Sequence, residues 1–387
     1  MLDERVSVVI FEGGVIRDSL DEVMAHVRKA VVLDNAELIR DTEGVDEVLI
    51  CTNYPDLAKA AEDLGCIADL NHYGEDFHFG RYLQDVVRRH QLENVLYMSG
   101  AGAPLITRED IQAIAEQLRC LKNVVIVNNV QSIDFAAFTP ARAIHMIEPP
   151  ATDNVLGRCL RELGLRRILV ENSARVNFDL DTPTDILILS LHRGVGRRTA
   201  EALGDLDWDK KHLLDARHQL LVCDQQLVEL ALIGRVAPSV MLFLNANFPL
   251  RLRVFSEERG MRALNRAEKG EVVSLVSTMI DWMGPKAFFE KLSSLASVVF
   301  MDTRVTFAHW KKKLSDWDRF HSDLGQVSKI QDEQLREFTE AAFSCGIPVV
   351  LGGHSLVSGG IWLLAEDVLK DKGLHPRPVQ TFGPAQW

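Results

Sequence analysis

The sequence predicts an α/β protein in two domains, the first a mainly parallel sheet sandwiched by helices, and three observations carry that prediction. Strand-like apolar runs recur at 6–10, 47–51, 94–98, 123–127 and 167–170. Between them, segments 56–64, 79–90 and 108–121 place apolar residues three and four apart, the period of a one-sided helix, so helices and strands alternate as they do around a parallel sheet. The chain also has 387 residues, 47% of them hydrophobic, which is enough to bury more than one domain core.

Ligands on such sheets sit beyond the carboxyl ends of the strands. In chain order, the first strand runs into Phe11-Glu12-Gly13-Gly14-Val15-Ile16-Arg17, and the third into Ser99-Gly100-Ala101-Gly102-Ala103-Pro104-Leu105. The polar stretch 128–134 follows the fourth strand and reads equally as the acceptor side of a cleft or as a solvated loop. A last loop, Asn177-Phe178-Asp179-Leu180-Asp181-Thr182-Pro183-Thr184-Asp185, closes the half. Asp179 and Asp181 are two apart and share a face on an extended chain, which suits two oxygen ligands of Mg²⁺ held against a triphosphate. The same residues also make a well-formed helix start, with a capping residue ahead of Pro183, and the two accounts stand side by side.

The order and spacing of these loops resemble the nucleotidyltransferase superfamily with a glycosyltransferase-A-like fold, in particular the small guanylyl- and cytidylyltransferases of molybdenum cofactor and phospholactate chemistry. The resemblance covers about the first half of the chain. It implies that Gly13, Gly14 and Arg17 hold nucleotide phosphates, that the basic residue Lys29 in the stretch from Arg28 to Ile39 serves catalysis, and that Ala101-Gly102-Ala103-Pro104-Leu105 stands for the family's Gly-Asp-x-Pro-Leu loop. Asp179 to Asp185 matches the family's Asp-x-Asp-Thr-Pro-x-Asp segment, so Asp179 and Asp181 are implied as catalytic metal ligands. One departure stands out. Gly102 occupies the place of a metal-binding Asp, and losing a carboxylate from the ion should cost orders of magnitude in rate.

Past residue 191, Arg193-Gly194-Val195-Gly196-Arg197-Arg198 looks like the turn of a helix-hairpin-helix element, whose backbone N–H groups can meet a phosphate, or like a helix-linking turn at a domain boundary. Segment 211–234 reads as a long helix, 240–244, 297–301 and 347–351 as buried strands, and 251–260 as a strand with a basic face. The expected boundaries are a nucleotidyltransferase-like domain over 1–195, a helical linker over 196–215 and a second α/β domain over 216–387. In that second domain Asp302, Arg304, His309, Asp318, His354 and Ser355 follow or flank strand ends, and they are expected to converge in one cleft for an anionic or metal-bound ligand. Paired solvated charges and tight turns explain the same residues equally well.

Composition narrows the function. A formal net charge of −12 argues against a general nucleic-acid surface while leaving room for a local phosphate pocket. The N-terminal residues lack the basic-then-apolar pattern of a secretion signal, and no apolar run reaches the length of a membrane span, so a cytoplasmic location is expected. Six scattered cysteines fit reduced core thiols. The partner expected is a nucleotide or small anionic metabolite, with Mg²⁺ as the cofactor and nucleotidyl transfer to a phosphorylated acceptor as the reaction. The alternative is a degenerate nucleotide-binding scaffold or sensor, with chemistry or ligand binding moved to the C-terminal cleft.

Overall fold

The computed structural model describes residues 5–71 and 76–377. Chain contacts divide it into two compact units, Met1–Asn177 with Gly194–Leu203, and Phe178–Arg193 with the chain from Gly204 onward. The division therefore falls before Phe178, not at the expected 195, and the acidic loop goes with the second unit. Among the described residues, no helix is long and apolar enough to cross a membrane.

In the first unit, β1 (Val6–Glu12), β2 (Glu47–Thr52), β3 (Ile67–Leu70), β4 (Asn94–Ser99), β5 (Val124–Val127), β6 (Phe135–Thr139) and β7 (Arg166–Leu169) form one sheet in the order β3-β2-β1-β4-β6-β5-β7. Every pairing is parallel except those of β6, which runs antiparallel to β4 and β5. Central strands are buried on both faces, which is why they read as unbroken apolar runs. Because side chains alternate, Val8 and Ile10 enter one core with helices Ser19–Arg40, Pro55–Asp63 and Arg108–Cys120, while Val9 enters the other with Phe79–Arg89 and Leu156–Glu162. Five of the seven strands fall where the sequence predicts them. β3 and β6 were not foreseen.

The second unit holds a wholly parallel sheet of β8 (Glu229–Gly234), β9 (Arg251–Ser256), β10 (Val298–Asp302) and β11 (Val349–Gly352), in the order β11-β10-β8-β9. Two expectations are corrected here. The helix foreseen over 211–234 ends at Val222 and gives way to β8, and the strand foreseen over 240–244 lies inside the helix Pro238–Asn247. A short apolar run carries no period of its own, and Pro238 at the first helical turn decides in favour of the helix. Successive strands β8 and β9 lie on one side and β10 and β11 on the other, so chain direction across the sheet reverses between β8 and β10. In such sheets the carboxyl edge at a reversal of this kind is the usual ligand position.

Candidate functional site

In the first unit, the carboxyl ends of β1, β2 and β4 surround a pocket of about 350 Å³. Phe11, Phe77, Phe79 and Tyr97 form its aromatic wall, with Phe11 and Tyr97 ring centroids 5.3 Å apart and Phe79 and Tyr97 at 4.9 Å. Asn53, Asn71, Ser99 and Thr152 supply uncharged polar groups, and the Tyr97 hydroxyl donates to Asp153 at 2.8 Å. Aromatic faces with a few polar groups suit a flat, polar-edged ring.

The charged lining is internally compensated. Glu12 is buried, and burial lifts its carboxyl above the ordinary range in spite of Arg28, whose Nε and Nη2 donate to it at 3.3 and 3.2 Å. Gly100 makes this possible, since a Cβ there would lie 2.3 Å from the Glu12 Oε2. Of the residues singled out in the sequence, Gly13 and Gly14 line the pocket, and the Asn53 amide clamps Gly14 by accepting from its N–H at 3.0 Å and donating to its carbonyl at 2.9 Å. Arg17 is exposed, with its backbone N–H donating to Asp21. Lys29 bonds to Asp56 at 2.8 Å and lies 4.2 Å over the Tyr54 ring, outside the pocket lining. The Gly102 N–H donates to the Ser99 carbonyl at 3.0 Å, and Gly102 too lies outside the lining.

Asp179 and Asp181 belong to the second unit. The Asp179 N–H donates to the Ser355 Oγ at 3.2 Å, Ser355 donates in turn to the Asp179 carbonyl at 2.9 Å, and Thr184 donates to the Leu351 carbonyl at 2.6 Å. The segment is thus stitched to the end of β11. Helix Pro183–Leu189 is buried at every position, a core helix rather than a surface one. Asp185 caps it by accepting from both the N–H and the hydroxyl of Thr182 at 2.8 Å. Among the described residues, no group of three or more His, Cys, Asp or Glu could hold a metal, and Asp181 lies in the electrostatic reach of His354 within a basic neighbourhood.

Around the same edge, the residues expected to converge separate into two groups. Asp302, Arg304, His354 and Ser355 come together. Arg304 donates through its backbone N–H to Asp302 at 3.1 Å, Thr303 donates to the Gly352 carbonyl, and His354 acts electrostatically on Asp302. His309 and Asp318 do not join them. The His309 Nε2 pairs with Asp281 at 3.2 Å and its Nδ1 accepts from the Ser274 N–H, whereas Asp318 accepts from the Gln331 N–H at 2.6 Å. Both sit on helices after β10 whose turns carry them into other networks. Sequence reasoning missed Arg235, which directly follows β8, because that strand was read as helix.

The hairpin-like turn at Gly194-Val195-Gly196 belongs to the first unit, where Asp34 takes the start of helix Arg197–Gly204. Its carboxylate accepts from the Thr199 N–H and hydroxyl at 2.8 Å and from the Arg198 N–H at 3.2 Å. The N–H groups that could meet a phosphate already face an anion.

No family model matches the chain, and no curated protein does. Solved structures similar to it include a CMP:2-keto-3-deoxy-manno-octonic acid synthetase complexed with CTP, with 13% identity over 52% of this chain and 100% of that one and a TM-score of 0.37. A nucleotidyl transferase from Methanothermobacter thermautotrophicus shares 17% identity over 48% and 95%, with a TM-score of 0.36. A cytidylyltransferase from Leptospira borgpetersenii serovar Hardjo-bovis shares 13% over 52% and 92%, with a TM-score of 0.38. Likenesses at these scores are similarities of part of the chain and carry no inference about its chemistry.

Proposed function

We propose that the seven-stranded unit binds a nucleotide, with its base in the pocket walled by Phe11, Phe77, Phe79 and Tyr97. One observation carries this reading: an aromatic pocket with Asn53, Asn71 and Ser99 at its rim lies at the carboxyl edge of a mainly parallel sheet. Stacking on aromatic faces contributes about 1–3 kcal/mol per base, and the amides can meet the polar edge of the ring. The reading is binding first. Nucleotidyl transfer would have an acceptor phosphate oxygen attack the α-phosphorus while the bond to the β-phosphate breaks and pyrophosphate leaves. For that step Arg28 is the cation in the pocket lining, Lys29 is held by Asp56, and Mg²⁺ would arrive on the phosphates, as it often does.

Thermal shift of the full chain with ATP, GTP, CTP and UTP, each with and without Mg²⁺, tests the reading, because a ligand bound only by the folded state raises its Tm. At least one nucleotide should raise Tm, and Phe77→Ala should weaken that nucleotide by about tenfold or more through the lost stack. Absence of any shift with all four, in both conditions, would sink the proposal. Pyrophosphate release with the protecting nucleotide then separates transfer from binding alone.

A further inference from the structure

The second unit carries a cluster that the nucleotide reading does not use. Four strand-end loops are tied together at the carboxyl edge of its sheet. The Glu257 N–H, just past β9, donates to the Gly234 carbonyl at 2.9 Å, and the Thr303 N–H, just past β10, donates to the Gly352 carbonyl at 3.0 Å. At the crevice between β8 and β10 the chains come so close that a Cβ on Gly234, whose φ is +109°, would lie 2.6 Å from the Asp302 Cβ. Only glycine fits there.

Five arginines gather on these loops and the helix beside them: Arg235, Arg259, Arg262, Arg304 and Arg319. At the floor, Arg235 and Arg304 are buried and neutralised by Asp302 and Asp323, at 2.6 Å each. At the mouth the balance fails. Arg319 contacts Asp316 through one end of its guanidinium, and among the described residues the side chains of Arg259 and Arg262 show no hydrogen bond or ion pair. Among the described residues, the Nε atoms of Arg259 and Arg319 and the Nδ1 of His354 are buried with no hydrogen-bond partner. A buried donor left unpaired costs about 1–3 kcal/mol, so two arginine Nε–H groups left this way, Arg259 in electrostatic reach of His354 and Arg319 in reach of Arg304 and Arg262, are a poor way to build a core and a good way to receive an acceptor. Mutual repulsion is also present, since burial together with the charges of Arg304 and Arg262 lowers the Arg319 guanidinium to about 10.

We propose that this crevice binds the phosphate group of a small phosphorylated metabolite, with Arg259, Arg319 and His354 on its oxygens and Arg262 at the rim. Guanidinium groups present paired donors that match the oxygens of a tetrahedral anion, and five of them against the carboxylates of Asp302, Asp316, Asp323 and Asp181 leave an excess that a phosphate fills. Asp302 and Asp323 act as positioning residues, since they hold Arg235 and Arg304 and have no hydrogen left to offer the anion. The proposal is independent of the nucleotide pocket, which lies in the other unit.

Titration calorimetry of the full chain with inorganic phosphate, at constant ionic strength, is the test. Saturable binding is expected, weakened at least tenfold in Arg259→Gln and in Arg319→Gln and by a smaller factor in Arg262→Gln. Arg262 is exposed, so its variant stays informative even where the other two fold poorly. Absence of saturable binding to the wild-type protein, or binding unchanged in Arg262→Gln and in folded Arg259→Gln, overturns the proposal.

Discussion

Arg235 grips Asp302 at two points across the β8–β10 crevice, Nε to Oδ2 at 2.6 Å and Nη2 to Oδ1 at 3.1 Å, and its backbone N–H adds a third contact at 3.3 Å. Burial alone would push the Asp302 carboxyl up, but the Arg235 guanidinium and the charges of His354 and Arg304 outweigh it and hold the group below its ordinary value. A buried pair of this kind costs far more to halve than it is worth whole. Asp302→Ala should therefore lose about 3–5 kcal/mol in urea denaturation, by stranding Arg235 in the core. A loss under about 1 kcal/mol would mean that water reaches the pair, in line with the small net worth of exposed ion pairs.

Asp34 offers a second stability test. It caps helix Arg197–Gly204 from the helix Ser19–Arg40, more than 150 residues away in sequence. Replacing it by Ala removes the acceptor of four bonds, from the Arg198 N–H and guanidinium and from the Thr199 N–H and hydroxyl, and should cost about 1–2 kcal/mol, while Asn should retain part of that. Denaturant midpoints of the two variants decide it, and equal loss in both would show that charge, rather than the bonds, matters.

The strands that the sequence located, such as β1, β4 and β11, are buried on both faces and so announce themselves as apolar runs bounded by turns. β3, whose Ile67 and Leu70 are exposed, and β6, with its two alanines, carry no such contrast. Gly13 and Gly14, which line the pocket, and Arg304 and His354, at the edge proposed for an anion, were legible because loops after parallel strands are where ligands gather. The placement of Asp179 and Asp181 could not, because a motif records local spacing while its domain is chosen by long-range bonds such as Asp179 to Ser355. The buried Nε of Arg259 and of Arg319 was invisible for a similar reason. Nothing local distinguishes an arginine whose Nε is buried and unpaired from one in solvent.

Asp185 should show an inverted pH response. Burial, aided by the charges of Asp181 and Asp323, raises its carboxyl well above the ordinary value even though Thr182 donates twice to it, and among the described residues its Oδ1 has no partner. The folded state keeps the proton where the unfolded chain has released it. Its contribution to stability is thus present below about pH 4 and is lost as pH rises toward the folded value. Asp185→Asn keeps an acceptor for Thr182 without the ionisation, so the variant should gain on wild type steadily between pH 4 and 7 in denaturation midpoints. A constant difference over that range would refute the raised value.

His354 should move the other way. Burial lowers its imidazole to about 4, assisted by Arg235 and Arg259 and opposed by Asp302 and Asp181. Above that pH the folded protein holds the ring neutral, whereas the unfolded chain takes up a proton near 6.5. Stability supplied by this site is therefore full above about pH 6.5 and drains away as pH falls toward 4, the sign expected of a base with a depressed folded value. Assigned histidine resonances should show one ring, absent from the spectrum of His354→Gln, with no titration between pH 5 and 8. Inorganic phosphate gives the sharper check, because an anion beside the ring favours the imidazolium: at saturating phosphate the same resonance should titrate at a higher pH than in its absence. A ring that titrates near 6.5 in both conditions would place His354 in solvent and remove it from the anion site.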